Sequence, residues 1–314
     1  MTKRPILDLP RSVRERLVAL GHRRGEEPNL VLTRYAAERL LYRLSRTEHR
    51  DAFVLKGAML FAAWSGYPHR PTRDMDLLGL GVLSPESVRT IFADVCVVSV
   101  EDDGMVFDPE TVRVEEIREG NEYGGLRVRL VGSMGTSRLP VQVDVGIGDA
   151  VVPDPIDIEY PTLLPFPAPR IRAYPLEAVI AEKLHAMVVL GVANSRMKDF
   201  FDLATMAAHC TVDGTRLRDA IAATFARRGS GLPDGDPIAL SGAFATAPEK
   251  QSQWNAFLDR SRLPNDPAGL AGVVEAIRRF VTPPIDAARA GASFQLTWPP
   301  GGPWRSKTGG STGG

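Results

Sequence analysis

The sequence predicts an α+β protein in which two amphipathic helices precede a strand-rich segment and a long run of helices. Apolar residues recur at helical spacing over 11–24 (Val13, Leu17, Leu20) and 29–46 (Leu32, Ala36, Leu40, Leu44). Between 53 and 147 that period gives way to short apolar or alternating runs bounded by Gly, Pro, Ser and Asp, as strands require. Helical spacing returns over 176–190, 198–209, 213–228, 249–260 and 269–281. Strands followed by a block of helices is the α+β pattern. With 314 residues, 44% hydrophobic and 24% charged, the chain can bury a full core, which excludes disordered, collagen-like and coiled-coil classes.

The two opening helices carry Arg14, Arg23, Arg24, Arg39, Arg43 and Arg46 on their outer faces, where arginines are expected to be solvated. A short strand, Phe53-Val-Leu, then passes through Lys56-Gly57 into an all-apolar helix, Ala58–Trp64, which should be buried. Asp74–Leu80 reads as a strand, and Ser84-Pro85-Glu86 as the cap of a helix to about Val95. Strands follow near 105–118, 126–131 and 139–147, the last two joined by the turn-rich Gly132–Ser137 as an antiparallel hairpin. Six prolines in 153–169 mark a linker, and the Gly-rich end reads as a tail. The expected division is therefore basic helices at 1–50, a strand-rich core at 51–152, a linker at 153–170, a helical part at 171–300 and a flexible tail at 301–314.

Net charge is zero, so a polyanion would have to be gripped by a local patch. Such a patch exists in outline: residues 1–50 hold twelve Lys/Arg against six Asp/Glu, whereas residues 74–160 hold six against eighteen. Cys96 and Cys210 stand alone in apolar surroundings, which excludes a disulfide framework and points to a reducing, cytoplasmic compartment. No apolar run approaches the length of a membrane span.

Asp74 and Asp76 lie two apart on a strand, so both carboxylates face one side and repel unless a cation sits between them. Hard divalent ions such as Mg²⁺ take oxygen ligands of this kind together with phosphate. In Val141–Ile147 the valines share one face and Asp144 takes the other, where it would complete a three-carboxylate cage suited to two-metal phosphoryl chemistry. Lys183 falls on the apolar stripe of its helix, where a lysine either snorkels to water or meets an anion, and a methionine in its place should suit the fold. His185 beside it reads as a structural or surface histidine, not a general base. Asp199 suits a helix N-terminus, while Asp202 one turn on is not explained in that way. The chain has no phosphate-binding P-loop, dinucleotide-binding Gly-x-Gly-x-x-Gly, His-Glu-x-x-His or Gly-x-Ser-x-Gly, which argues against the enzyme classes built on them.

The ordered set Leu55-Lys56-Gly57-Ala58-Met59-Leu60, Arg70-Pro-Thr72-Arg-Asp74-Met-Asp76, Val143–Asp149, Glu182-Lys183-Leu-His-Ala186 and Arg196-Met-Lys198-Asp199-Phe-Phe-Asp202 resembles the AbiEii/AbiGii family of nucleotidyltransferase toxins, within the DNA-polymerase-beta-like superfamily. The likeness covers roughly 50–205. It implies a mixed-sheet nucleotidyltransferase core and a helical C-terminal domain with the nucleotide between them. It makes Asp74, Asp76 and Asp144 the metal ligands, and adds Lys183 and Asp202 as catalytic residues. Lys56, Gly57, Ala58, Arg70, Thr72, Lys183 and Lys198 become nucleotide-binding, with the Gly57 and Ala58 amides at a helix N-terminus facing the triphosphate. Ala58 replaces the serine usual in the superfamily, so one hydroxyl is absent there and Thr72 is the natural substitute.

The resemblance further implies an NTP donor with Mg²⁺, a cognate antitoxin, a role in toxin–antitoxin or phage-defence pairs, and an RNA acceptor such as the tRNA 3′ end. The basic N-terminal helices, Arg39, Arg43 and Arg46 in particular, would hold that RNA. Two other readings fit the same residues: a metal-dependent nuclease, and a non-catalytic module that binds nucleotide or a partner.

Overall fold

The computed structural model describes residues 8–65, 70–72, 74–119, 123–147, 151–264 and 268–307. They form two compact units, one comprising Met1–Ala150 with Pro155–Tyr174 and the other Val151–Asp154 with Pro175–Gly314.

The first unit opens with α1 (Leu9–Arg24) and α2 (Pro28–Leu44), whose predicted stripes, Val13 and Leu17, then Leu32, Ala36, Leu40 and Leu44, are buried. Asp8 caps α1 by accepting from the Arg11 amide, and Gly25 ends it in the left-handed conformation. Next come β1 (Phe53–Lys56), α3 (Leu60–Ser65), β2 (Asp74–Gly79) and α4 (Pro85–Val97). Ser84 caps α4 through a reciprocal box with Ser87. Then follow β3 (Val106–Glu119), β4 (Tyr123–Met134), β5 (Ser137–Ile147), β6 (Ile156–Glu159) and β7 (Arg170–Ala173). Among the described residues these strands form one mixed sheet in the order β3-β4-β5-β2-β1-β7-β6, with β2 parallel to β5 and β1 parallel to β7.

Alternation gives this sheet two different faces. Phe53, Leu55, Met75, Leu77, Val143, Val145, Val128 and Leu126 share one face and are all buried. They form a core with α4, where Phe53 meets Phe92 edge-on at 5.8 Å. The opposite face carries the charged residues described below.

Three sequence expectations change here. The segment from 156 to 173 is not a plain linker, because β6 and β7 add two strands to the sheet edge; its prolines at 161, 165, 167 and 169 fall in the loop between them. The helix after Gly57 is a 3-10 turn, Gly57–Met59, followed by the short α3. Finally, Arg39 and Arg43 are buried, not solvated. Arg39 pairs with Glu38 at 2.7 Å, donates to the Pro167 carbonyl and lies near the rings of Tyr35, Tyr42 and Phe166. Arg43 grips Asp103 with both arms, at 2.8 and 3.1 Å, and donates to the Met105 carbonyl. Arginine periodicity alone does not distinguish a solvated guanidinium from one answering a buried acid sixty residues away. Arg14, Arg23, Arg24 and Arg46 are exposed, as expected.

The second unit contains α5 (Leu176–Leu190), α6 (Met197–His209), β8 (Val212–Asp213), α7 (Gly214–Arg227), α8 (Gly242–Thr246), α9 (Pro248–Ser261), α10 (Gly269–Arg289), β9 (Leu296–Trp298) and β10 (Arg305–Ser306). Its three strands pair antiparallel in the order β10-β9-β8. Pro284 inside α10 cannot donate to the Phe280 carbonyl, and the Trp304 indole does so instead at 2.9 Å. Residues 301–307 therefore belong to the packed structure instead of a tail, with Trp304 ringed by Phe280, Phe294 and Trp298; residues 308–314 lie outside the described residues.

The buried arginine has a measurable consequence. Arg43→Met leaves Asp103 without its counter-charge and should lower unfolding free energy by about 3–5 kcal/mol. Arg46→Glu, on the exposed side of the same chain segment, should change it by less than about 0.5 kcal/mol. Urea unfolding of both variants checks the contrast.

Candidate active site

The polar face of the sheet in the first unit is organised in rows. Lys56 on β1 is the register partner of Asp76 on β2, Asp76 of Asp144 on β5, Asp144 of Arg127 on β4, and Arg127 of Glu115 on β3. One straight line across five strands thus reads cation, carboxylate, carboxylate, cation, carboxylate. The adjacent row holds Asp74, Gln142, Arg129 and Arg113. The sequence-predicted Asp74, Asp76 and Asp144 therefore share one face, with Asp76 and Asp144 directly opposite each other at the ~4.8 Å spacing of neighbouring strands.

Asp144 is held by Arg127, whose Nε and Nη2 meet the two carboxylate oxygens at 2.8 and 2.7 Å. This bidentate bond is the main cause that raises the Arg127 pKa above its ordinary value; burial opposes it, and the charges of Asp144, Asp74 and Glu115 add to it. Arg129 pairs in turn with Glu115 at 2.8 Å. Among the described residues no group of three His, Cys, Asp or Glu side chains is placed to hold a metal. The oxygen-only donors of Asp74 and Asp76 nonetheless suit a hard divalent ion, and Asp144 can join them only by sharing its carboxylate with Arg127 or losing that partner.

Two glycines let this row close up. Gly57 has φ +75°, and a Cβ there would overlap the Asp76 carboxylate. A Cβ on Gly146 would lie 2.8 Å from Lys56 Nζ, so the lysine ammonium sits over bare backbone. The 3-10 turn at Gly57 and Ala58 leads into a helix of six residues, too short to develop much macrodipole. Thr72 donates to the Asp74 carbonyl at 3.3 Å. Arg70 turns back on the Pro71 carbonyl. Asp149 lies outside the described residues.

Two openings flank exposed Asp74. One is a cleft of about 630 Å³ towards β5 and β4, bordered by Asn29, Thr33, Arg129 and Gln142. The other is a small cavity bordered by Arg34, Thr72, Tyr160 and Thr162.

In the second unit Lys183 neither snorkels nor stands alone. Its ammonium lies 2.6 Å from Asp199 and 2.8 Å from Asp202, and Arg196 reaches Asp199 at 2.8 Å. Burial pulls the Lys183 pKa down, but Asp202 and Asp199 outweigh it and hold it above the ordinary lysine value. Asp202, unexplained by the helix dipole, is the buried counter-charge of Lys183. Lys198 is exposed. His185 is buried, bonds to Ser230 at 2.8 Å and is pushed down to about 4, by burial first and then by Arg228 and Arg227. It is a neutral, structural histidine.

The nucleotidyl transferase AbiEii toxin family of type IV toxin–antitoxin systems matches residues 39–288, most of the chain. This protein is a member of the AbiEii family. It is accordingly a nucleotidyltransferase toxin, and a type IV system implies an antitoxin partner. No curated protein sequence matches the chain. Among solved structures, a candidate nucleotidyltransferase from H. pylori is 15% identical, with a TM-score of 0.48 over 84% of this chain and 96% of its own. JHP933 from Helicobacter pylori is 13% identical, with a TM-score of 0.46 over 84% and 94%. No helix among the described residues is long and apolar enough to cross a membrane.

Sequence reasoning did not single out Arg127 in this AbiEii protein. Its signal was present only in pairing: the alternation of 126–131 puts Arg127 on the polar face, and the hairpin register places it opposite Asp144. Arg127→Met removes the bidentate partner of Asp144 beside two further carboxylates. The melting temperature should fall in metal-free buffer and recover with Mg²⁺ by several degrees more than wild type does, as differential scanning fluorimetry at matched ionic strength would show.

Lys183→Met leaves Asp202 with a lost partner and Asp199 with Arg196 alone, so the methionine suggested by the apolar stripe is not tolerated. A loss of about 3–5 kcal/mol is expected at pH 8. With the ammonium gone, burial disfavours charge on these two carboxylates, so their protonation relieves the variant as pH falls. The difference from wild type should therefore be smaller at pH 5 than at pH 8; the His185 contribution, lost as pH falls from 6.5 towards about 4, is common to both proteins and cancels. Urea titrations at the two pH values measure this.

Proposed function

We propose that this AbiEii toxin transfers a nucleoside monophosphate from an NTP to the 3′ hydroxyl of an RNA, with tRNA as the acceptor. The observation that carries this reading is the pair of register-matched carboxylates, Asp76 and Asp144, on one sheet face with Asp74 beside them and an opening on each side of Asp74. A terminal transfer brings two polyanionic substrates together, and two openings that share one carboxylate wall are suited to a donor and an acceptor.

Asp74 and Asp76 would hold Mg²⁺, which supplies neutralisation of the triphosphate and polarisation of the phosphorus. A second ion, as a two-metal reaction requires, would call on Asp144 and so on its exchange with Arg127. Lys56, the register partner of Asp76, and Thr72, which donates to the Asp74 carbonyl, would bind the nucleotide together with Arg70 and the backbone at Gly57 and Ala58. Lys183, Asp202 and Lys198 are proposed to take part as well, in the roles that the family resemblance implies for them. The RNA would lie in the larger cleft and against the exposed arginines of α1, Arg14, Arg23 and Arg24, instead of on buried Arg39 and Arg43. Its binding would weaken steeply with salt, because phosphate contacts dominate such affinity.

Incubation with each labelled NTP, Mg²⁺ and total bacterial RNA, followed by gel separation, tests the proposal. Label is expected in RNA of tRNA size, and Asp76→Asn should reduce incorporation by at least about 10³-fold while retaining a cooperative melt. Fragmented RNA without incorporation would select a nuclease, and full activity of Asp76→Asn would remove the metal role from this carboxylate.

A further inference from the structure

Gln142 on β5 is the register partner of Asp74 on β2 and stands two residues before Asp144, on the same face of the sheet. Strand spacing sets its backbone about 4.8 Å from that of Asp74. The residue is half-buried and borders the cleft of about 630 Å³ that opens beside Asp74. Other polar groups along this cleft are engaged. Arg129 pairs with Glu115 at 2.8 Å, Thr33 donates to the Asn29 carbonyl at 3.0 Å, and Thr111 donates to the Asp108 carbonyl at 2.6 Å. The side-chain amides of Gln142 and Asn29 make no hydrogen bond among the described residues. Of these two, Gln142 is the half-buried one and the one in register with Asp74.

A neutral amide beside Asp74 has a chemical meaning. A cation there would pair with the carboxylate, and another carboxylate would add to the repulsion. An amide does neither. It offers a donor and an acceptor together, which matches a hydroxyl, itself both donor and acceptor. In the transfer proposed above, the 3′ hydroxyl of the acceptor has to reach metal held by Asp74 and Asp76. The nearest further polar group of an RNA end is the vicinal 2′ hydroxyl, whereas the base projects from the other side of the sugar. The first side chain met on leaving Asp74 along its row towards β4 is Gln142.

We infer that Gln142 binds the 2′ hydroxyl of the acceptor's terminal ribose, so that the cleft selects an RNA end over a DNA end. The inference rests on the transferase reading and deepens it by naming the sugar that the acceptor must carry. Gln142 determines specificity and takes no part in bond formation.

The test is kcat/KM for label transfer from NTP and Mg²⁺ to bacterial tRNA ending in adenosine or in 2′-deoxyadenosine, for wild type, Gln142→Met and Gln142→Asn. Methionine keeps the length without the hydrogen-bonding groups, and asparagine withdraws the amide by one methylene. The preference for the ribose end should be at least about tenfold greater in wild type than in Gln142→Met, with the loss confined to ribose-ended tRNA. Gln142→Asn should lower the preference too, and so decides the matter if the methionine variant loses its cooperative melt. A wild-type preference in either folded variant overturns the inference. So does a change in NTP over dNTP preference in place of the acceptor preference, which would assign Gln142 to the donor sugar. A loss that follows the terminal base, adenosine against cytidine, whatever the sugar, also overturns it. The two readings fail differently: label entering both tRNA ends equally with wild type removes this inference alone, whereas no label in ribose-ended tRNA removes the transferase reading and this inference with it.

Discussion

The first unit is arranged around like charge that has to be answered. Asp76 and Asp144 face each other across neighbouring parallel strands, and Asp74 follows one pleat away. Such a set is unfavourable in a half-buried setting unless cations lie beside it, and the sheet supplies them from the flanking strands: Lys56 on one side, Arg127 on the other. Strand order matters here more than strand sequence. Because β5 and β2 are adjacent and parallel, the acidic residues of two distant segments align; because β1 and β4 flank them, a cation stands on each side of the pair. The apolar face beneath, from Phe53 to Val143, fixes that register, since a slip of one residue would turn the aspartates into the core.

The bidentate Arg127–Asp144 pair gives the face two possible charge states. In one, seen in the structure, the guanidinium neutralises the carboxylate; in the other, which the proposed reaction would need, a divalent cation would do so and the arginine would be free for a phosphate oxygen. Arginine is suited to both because its planar fork fits carboxylate and phosphate equally well. The second unit handles buried charge differently. Lys183, Arg196, Asp199 and Asp202 satisfy one another, and the network joins α5 to α6.

Much of the fold could be read in the sequence where periodicity was strong. The opening helices, the strand at Asp74, the Ser84 cap, the long hairpin and the main helices of the second unit stand within a few residues of expectation, except that α10 runs on past 281 to Arg289. What could not be read depended on partners remote in the chain. β6 and β7 are four residues each and gain stability only by pairing at the sheet edge, so their prolines suggested a linker. Arg39 and Arg43 occupy positions that look solvent-facing until Glu38 and Asp103 are seen to answer them. The carboxylates of the candidate site were visible because their two-residue spacing on a strand already implies a shared face. Arg127 was not, because a single arginine in an alternating strand looks like any other.

Arg127 compensates Asp144 in the metal-free structure, and in the proposed reaction it would yield that place to metal and nucleotide. The most direct measurement is the arginine Nε–H NMR signal of Arg127, assigned through Arg127→Lys, during titration with Mg²⁺ and a non-hydrolysable NTP analogue. A slowly exchanging, downfield signal is expected in the free protein, one that shifts and exchanges faster as both ligands saturate. A signal unchanged at saturation, in protein shown to bind the analogue, would contradict it.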